Sequence, residues 1–380
     1  MLDYGISKKR CQLNNVDPDL TFSLIDYRNN YYLSSDINEI IEFYESFQDK
    51  NQLQEWMRNR PKGASYLHEV PGNKDVIVVI PTTDFKGEFA RRCKDSIFYG
   101  LHIIFVESGE VPDPYFNYAH NCNCGIMKAL EYKPKWIIVS NDDMEKIDDP
   151  AALLSALVSI EDPKVSAVFT KPSRYHAYPL SIGRVIPVWS KAWKNAIELY
   201  SLASINFKRY LFARKRDVHE DSKSEGLSSG VSRPKDLGKV TIRSLYNKLS
   251  VYFKLRMKER AILKRFPIDL MVGSKSKILS KLFLKDPLFL IMTSSFGIFS
   301  FSYCKRKNGF VFDEGYINGY EDVHLSAEIA TEQRKLKRHY TFIDYRIGDL
   351  VGSSMGKGEY RRFRDIANQI YFSINSQSYK

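Results

Sequence analysis

The sequence predicts an α/β protein built on a mostly parallel, doubly wound sheet. Short apolar runs rich in β-branched residues recur along the chain, and stretches with helical periodicity separate them. Strands that are apolar on both faces are typical of parallel sheets covered by helices on each side. The composition agrees, because 43% hydrophobic and 27% charged residues in a chain of 380 allow a large core and exclude wholesale disorder.

The predicted elements begin with an N-terminal helical addition. Residues 1–33 have no clear period, whereas a helix begins at Ser35–Asp36, with Glu39 placed for a capping box, and Pro61 ends its pattern. The alternation of strands and helices follows. The predicted strands are Val76–Ile80, His102–Val106, Trp136–Val139 and Val165–Thr170, and the predicted helices between them are Phe85–Tyr99, Asn123–Leu130 and Asp149–Leu157.

Polar residues cluster where these strands end. Thr82 and Thr83 follow the first strand, Glu107 the second, and the triplet Asn141–Asp143 the third. Ligands of doubly wound sheets bind at the carboxyl ends of the strands. Adjacent carboxylates repel each other, and a divalent cation that joins them to substrate phosphates is the usual remedy. Capping of a helix by aspartate is the alternative interpretation of the triplet.

A second acidic pair, Glu321 and Asp322, opens a helix predicted to run through Ile329. Acids at a helix start are also explained by the helix dipole. Before this helix, residues 287–304 form an uncharged run of 18 residues, which is the threshold length for a membrane-spanning helix. Five Ser/Thr residues, one Gly and a local alternation favour two buried strands, or a strand and a turn, over a span.

The positive charge is concentrated in one segment. The formal net charge is +12, and residues 239–285 hold 13 Lys/Arg against two acids, a net of +11. Two apolar helical faces occur there, Leu245, Leu249, Tyr252 and Phe253 in the first and Ile278, Leu279, Leu282 and Phe283 in the second. Basic amphipathic helices are typical of elements that lie on anionic membranes. A solvated basic face and a nucleic-acid site are the alternatives. No RNA- or DNA-binding signature occurs, so a nucleic acid is not expected.

The remaining features bear on organisation and location. Residues 190–213 have a helical pattern, and residues 215–240 are polar and rich in Ser and Gly, as expected of a linker. The five cysteines include no CxxC pair, and Cys122 and Cys124 are too close for the usual zinc spacing. We expect reduced, mostly buried thiols, no secretion signal, and a cytoplasmic protein on the inner face of the membrane.

Taken in order, these segments resemble glycosyltransferase family 2. The segments are VIVVIPTTD, RRCKDSI, IIFVESG, Asn123-x-Gly125, WIIVSNDD and GFVFDEGYINGYEDVHLSAEI. They cover about residues 75–170 and 290–355. The resemblance implies a GT-A fold and an inverting, metal-dependent enzyme. Such an enzyme transfers sugar from a nucleotide-diphosphate sugar to a hydroxyl of a glycan or lipid-linked acceptor.

The resemblance also divides the chain. It predicts an N-terminal helical extension (1–74), a nucleotide-sugar-binding half (75–190), a basic helical insertion (191–286) and a half that carries the acceptor side and the catalytic base (287–380). It assigns residue roles as follows: nucleotide contacts to Pro81, Thr82, Thr83, Glu107, Asn123, Asn141 and Asp142, the ligand of Mn²⁺ or Mg²⁺ to Asp143, and the general base to Asp322, with Glu321 beside it. UDP is the default nucleotide, with GDP and dTDP open.

Two departures from the family pattern concern metal ligation. His324 stands where the family usually has a second aspartate, and Asp349 stands where it often has a histidine. Either residue could supply a further metal ligand, and capping or a solvent-facing position is the alternative for each.

Two other functions remain open at this stage. A sugar-phosphate nucleotidyltransferase shares the nucleotide-binding layout but needs a glycine-rich, basic loop after the first strand, and only Gly87 is present there. A degenerate glycosyltransferase-like scaffold would bind a membrane or a partner through residues 239–285. Nucleotide binding that depends on a metal distinguishes this scaffold from an enzyme.

Overall fold

The structure is a computed structural model that describes residues 22–109, 113–170, 177–186, 242–268, 270–272, 280–282, 284–293, 295–336, 339–349 and 360–376. Several predictions lie outside the described residues. These are the helix at 190–213, the linker at 215–240, most of the second basic helix around residue 278, and Cys11.

A seven-stranded mixed sheet forms the centre of the molecule, in the order β1-β3-β2-β4-β10-β6-β11. Its strands are β1 (Ser65–Val70), β2 (Asn73–Thr82), β3 (Leu101–Ser108), β4 (Trp136–Ser140), β6 (Val165–Thr170), β10 (Phe296–Ser300) and β11 (His339–Ile343). β2 pairs parallel with β3 and β4, and β6 pairs parallel with β11. Because β10 lies antiparallel between β4 and β6, five of these seven strands point the same way. The predicted mostly parallel sheet is confirmed.

Five further strands form two small antiparallel sheets. β5 (Met144–Lys146) pairs with β12 (Ile347–Asp349), and β7 (Ala177–Val185) pairs with both β8 (Leu270–Val272) and β9 (Leu284–Thr293). β8 and the start of β9 lie within residues 191–286, so the predicted helical insertion with its linker also contains strands. β9 and β10 confirm two strands in the uncharged run, and none of the described helices is long and apolar enough to cross a membrane.

The helix starts near Ile37, Pro150 and Glu321 agree with the sequence, whereas the helix predicted from Phe85 begins three residues later and the helix predicted from Asn123 begins five residues earlier. The helices are α1 (Phe22–Leu33), α2 (Ile37–Glu45), α3 (Lys50–Asn59), α4 (Glu88–Arg92, continued by a π-turn at Cys93–Ile97), α5 (Tyr118–Leu130), α6 (Pro150–Val158), α7 (Ile242–Arg265), α8 (Phe301–Arg306), α9 (Glu321–Leu336) and α10 (Arg361–Asn375). Asp36 and Asp149 cap α2 and α6 as predicted. The helix predicted to reach Pro61 is divided, because Asp49 caps a second helix, α3. α1 was not predicted.

Helices cover the central sheet on both faces, which confirms the doubly wound arrangement. On β2, the side chains of Val76, Val78 and Ile80 pack in one core with α4 and α6, whereas Ile77 and Val79 pack in another with α5, α8 and α9. The alternation arises because successive side chains of a strand point to opposite faces. The four described cysteines are buried free thiols, as predicted.

A third core joins the N-terminal helices to the C-terminal half of the chain. Phe43, Trp56, Ile262, Ala327 and Ile370, from α2, α3, α7, α9 and α10, belong to this one cluster. The N-terminal addition is therefore packed, as predicted. It is not wholly helical, because β1 adds an antiparallel edge strand to the sheet beside β3.

Candidate active site

The predicted nucleotide loop and the acidic triplet meet at the carboxyl ends of β2 and β4. Thr82, the last residue of β2, donates its hydroxyl to Asp142 Oδ2 at 2.8 Å. Thr83, the next residue, is exposed, whereas Pro81 is buried within the strand. Asn141 is held at the end of β4 because its backbone N–H donates to the carbonyl of Ser295, just before β10. The sheet topology thus brings Thr82 and Asp142 together, although they are 60 residues apart in the chain.

The two aspartates of the triplet are almost fully buried, with Asp142 at 9% and Asp143 at 3% exposure. Burial raises the pKa of Asp142, and the charge of Asp143 adds to this rise while the hydrogen bond from Thr82 opposes it. The Cys93 thiol donates to the backbone carbonyl of Asp142 at 3.3 Å. Two adjacent buried carboxylates, one of them with a raised pKa, are suited to receive a cation.

The carboxylate set fits Mg²⁺ or Mn²⁺ that completes its coordination with phosphate oxygens. Asp349 lies opposite Met144 in the pairing of β12 with β5, so its backbone runs beside that of Asp143. No group of three or more His, Cys, Asp or Glu residues that could hold a metal occurs among the described residues. Magnesium usually takes one or two protein carboxylates and obtains its other ligands from substrate phosphates and water.

The second acidic pair lies at the first turn of α9, as predicted. The preceding turn has two non-glycine residues with positive φ, Asn318 at 51° and Tyr320 at 72°. This conformation is rare for a bulky residue such as tyrosine and costs on the order of 1–3 kcal/mol. The turn is fastened to the start of α5, because Tyr118 N–H donates to Asn318 Oδ1 at 2.9 Å. The position of Glu321 and Asp322 is thereby fixed.

Both carboxyl groups of this pair resist ionisation. Burial raises the pKa of Glu321, with a further rise from the charge of Asp322, and burial likewise raises the pKa of Asp322. Glu321 Oε2 is buried and has no hydrogen-bond partner among the described residues. Asp365 on α10 is a third acid here, which sequence reasoning missed. Burial raises its pKa as well, and its charge also acts on Glu321.

Tyr118 connects the two acidic groups. Its hydroxyl donates to Asn141 Oδ1 at 3.0 Å. Burial raises the pKa of Tyr118 well above its usual value, and Cys122, Glu321 and Asp322 raise it further. The phenol therefore touches the triplet and lies within the field of the pair on α9. Sequence reasoning missed Tyr118, because nothing near it in the chain indicates this position.

Glu107 lies at the end of β3, beside Thr82 in the sheet register. Its carboxylate accepts the backbone N–H of Phe85 at 3.0 Å and lies 2.9 Å from His68 Nε2. The His68 ring stacks on the Phe85 ring, with the centroids 4.3 Å apart. Glu107 thus holds the loop after β2 through the backbone of Phe85. About a quarter of its side chain, 26%, is exposed and accessible to a ligand. His68, from the unpredicted strand β1, was also missed.

Asn123 lies apart from this cluster. It is fully buried, accepts the Phe312 N–H at 3.0 Å and donates to the Phe312 carbonyl at 2.8 Å. No surface of Asn123 is left for a nucleotide to contact. Packing also explains the glycine at position 125, because a Cβ there would lie 2.3 Å from a methyl group of Val79. Both residues of the Asn-x-Gly pattern therefore have structural roles in this fold.

His324 lines a cavity of about 440 Å³ to which the triplet does not contribute. Its Nδ1 lies 2.9 Å from the hydroxyl of Tyr316, and its Nε2 lies 3.7 Å from Glu328. The cavity is lined by residues 310–315 and Lys307, by His324 and Glu328 on α9, and by Arg58 and Tyr371. None of the residues predicted as catalytic or nucleotide-binding lines it.

No protein-family model, curated protein or solved structure matches this chain. The resemblance to glycosyltransferase family 2 accordingly remains a prediction from the motifs.

The burial of Glu321 predicts an effect on stability. Folding raises the pKa of this carboxyl, so ionising it costs more in the folded protein than in the unfolded chain. The free energy of unfolding therefore falls as the pH rises from the ordinary carboxyl range through the raised pKa. We expect Glu321→Gln to unfold at a higher temperature than the native protein near neutral pH. Its free energy of unfolding should be larger by about 1 kcal/mol or more. The gain should shrink as the pH falls toward 4.5, the usual glutamate value.

Calorimetry between pH 4.5 and 8.5 measures this difference. Glu332→Gln is the matched control, because Glu332 lies on the same helix in a surface ion pair with Arg306 at 2.9 Å. An equal response of both variants, or a gain that is constant with pH, would contradict a buried and destabilising charge at Glu321.

Proposed function

We propose that the protein is a metal-dependent inverting glycosyltransferase with a GT-A-type fold. It would transfer sugar from a nucleotide-diphosphate sugar to a hydroxyl of a glycan or lipid-linked acceptor. The observation that carries the proposal is the junction at Tyr118, whose hydroxyl bonds Asn141 and whose pKa responds to Glu321 and Asp322. Two acidic groups about 180 residues apart thus both act on one side chain, and a transfer between a metal-held diphosphate and a base would need them near each other.

In the proposed reaction, the acceptor oxygen forms a bond to the anomeric carbon as the bond from that carbon to the diphosphate breaks. Asp322 takes the hydroxyl proton, and its raised pKa suits a base that works near neutral pH. Direct displacement inverts the anomeric centre. Asp142 and Asp143 would hold the cation, which stabilises the charge that develops on the leaving diphosphate. Thr82 positions Asp142, and Tyr118 positions Asn141 relative to the base.

A thermal-shift panel tests the proposal. UDP, GDP, dTDP and CDP, with their common sugar conjugates, are each added with Mn²⁺, with Mg²⁺ or with EDTA. A ligand at 100 times its dissociation constant adds about 2.7 kcal/mol of stability, a shift of a few degrees for a chain of this size. We expect one nucleotide to give a shift that EDTA abolishes. No shift with any nucleotide would instead favour the scaffold interpretation.

We further propose that α7 holds the enzyme on an anionic membrane surface. Ile262 on α7 and Phe266 just after it are buried in the third core. The opposite face is exposed and carries Lys254, Arg260 and Lys264 around Met257, which is 64% exposed. An apolar side chain among cations suits the boundary between lipid headgroups and acyl chains. Such a site would bring a lipid-linked acceptor to the catalytic space.

Charge reversal tests this docking face. Changing Lys254, Arg260 and Lys264 to Glu should weaken binding to phosphatidylserine vesicles at least about 100-fold, since each cation contributes roughly 1 kcal/mol. Vesicle sedimentation measures the change. Deleting the segment is a poorer test, because it removes Ile262 and Phe266 from the core.

The control reverses Lys74, Lys164 and Lys305, which are exposed and lie outside α7. It changes the net charge equally, so similar losses in both triple variants would contradict a specific face on α7.

A further inference from the structure

The cavity that His324 faces is separate from the proposed donor site and has no role in the reaction derived above. Its volume of about 440 Å³ lies in the range of small-ligand sites. One wall is the loop between α8 and α9, a second is the side of α9, and α3 and α10 close the rest.

The walls are pre-formed. Asn123 clamps the loop through both hydrogen bonds to the backbone of Phe312. The Tyr371 hydroxyl donates to Asp313 Oδ1 at 3.0 Å, and a Cβ on Gly315 would lie 2.1 Å from that hydroxyl. The close approach of Tyr371 therefore requires glycine at position 315. Because these walls are already ordered, little conformational entropy is lost when a ligand binds in the cavity.

The charges in the cavity exclude an anionic ligand. Two cations, Arg58 and Lys307, face three carboxylates, Asp313, Glu314 and Glu328, so the acidic groups of the lining outnumber Lys and Arg by one. Lys307 is already paired with Glu328 at 2.9 Å. A phosphate or a nucleotide would meet no free cationic cluster there, and a lipid chain would leave the charged groups without water.

The same groups suit a ligand with many hydroxyls. Each carboxylate is held by internal donors and still has lone pairs for hydroxyl donors. His120 Nδ1 lies 3.1 Å from one oxygen of Glu314, and the amide of Asn123 donates to the other at 3.0 Å. Phe310, which is 44% exposed, adds an apolar ring to the lining. Oriented carboxylates beside an aromatic ring match the polar edges and the C–H face of a pyranose.

We propose that this cavity binds a neutral saccharide, the part of the acceptor that lies beyond the residue carrying the attacking hydroxyl. This inference rests on the proposed function. His324 lines the cavity and lies three residues after Glu321 on α9, a rise of about 4.5 Å along the helix axis. That spacing is comparable to the length of one sugar residue. Arg58 and Tyr371 come from α3 and α10, so the terminal elements would help to select the acceptor.

Saturation-transfer NMR tests binding without nucleotide or metal. The probes are neutral disaccharides of glucose, galactose, mannose and N-acetylglucosamine in both anomeric linkages, at about 10 mM. We expect at least one to bind, with affinity reduced about 3- to 10-fold by Phe310→Ala and also lowered by Glu328→Gln. Phe342→Ala and Glu332→Gln are the matched controls, because Phe342 is 42% exposed and neither residue lines the cavity. Both controls should bind as the native protein does.

The outcomes separate this inference from the proposed function. Binding that all four variants share, or no binding by any disaccharide, overturns the saccharide site, whatever the nucleotide panel shows. Disaccharide binding that responds to Phe310→Ala supports the site even if no nucleotide shifts the melting temperature. A competing effect of inorganic phosphate on the disaccharide signal would overturn the assignment to a neutral ligand.

Discussion

Asp322→Asn is expected to leave donor binding intact and to reduce sugar transfer by about 10²–10⁴-fold, the usual contribution of general base catalysis. The substitution keeps the size of the side chain and its acceptor oxygen, which receives the Val323 N–H at 2.8 Å. It removes only the ability to take a proton. The measurement is the turnover rate with saturating donor, together with the donor dissociation constant from the metal-dependent thermal shift.

The activity of the native protein should also rise with pH through the raised pKa of the acidic pair, because the base must be ionised to act. Asp95→Asn is the control, since Asp95 is exposed on the π-turn after α4. A loss of less than about tenfold in Asp322→Asn would contradict the assignment and would transfer the role of base to Glu321.

Asp143→Ala is expected to abolish the metal-dependent part of donor binding. The nucleotide-induced gain of about 2.7 kcal/mol at 100-fold excess should disappear and become insensitive to EDTA. The physical reason is that the ion, which joins the carboxylates to the diphosphate, loses its main protein ligand. Asp143→Asn tests the same point with less change in volume, because the side chain is 97% buried and alanine leaves a small void.

Asp143→Asn should melt at or above the native temperature without ligand, since it removes one of two adjacent buried carboxylates without leaving a void. A shift that still depends on metal in Asp143→Asn would place the ion elsewhere. Asp349, beside this strand in the register, would then be the first residue to examine.

The central strands could be predicted from the sequence because the composition of each short segment is enough to indicate a buried strand. A run such as Val76–Ile80 is apolar on both faces, and only a buried strand accommodates it. β1 was missed because an edge strand needs just one buried face, and Ser65–Val70 reads as a mixed segment between Gly63 and Pro71. α1 was missed for a similar reason, since its sequence has little amphipathic period.

The candidate site was predictable where neighbouring residues carry the signal. The triplet at Asn141 and the pair at Glu321 and Asp322 lie next to element boundaries, and the fold places them there. Tyr118 and His68 carry no local signal, because their roles arise from contacts with residues 23 and 39 positions away. Asn123 shows the opposite case, in which a motif that resembles a ligand contact serves to hold a loop.

The place of β10 in the sheet has a consequence for synthesis of the chain. β10 is the only described strand that joins β4 to β6, and it follows them by more than 125 residues. A nascent chain that stops before Phe296 would leave both of these apolar strands with open hydrogen-bonding edges, which are templates for aggregation. The sheet can close only after about three quarters of the protein has left the ribosome. C-terminal truncations that remove β10 should therefore be insoluble rather than merely inactive.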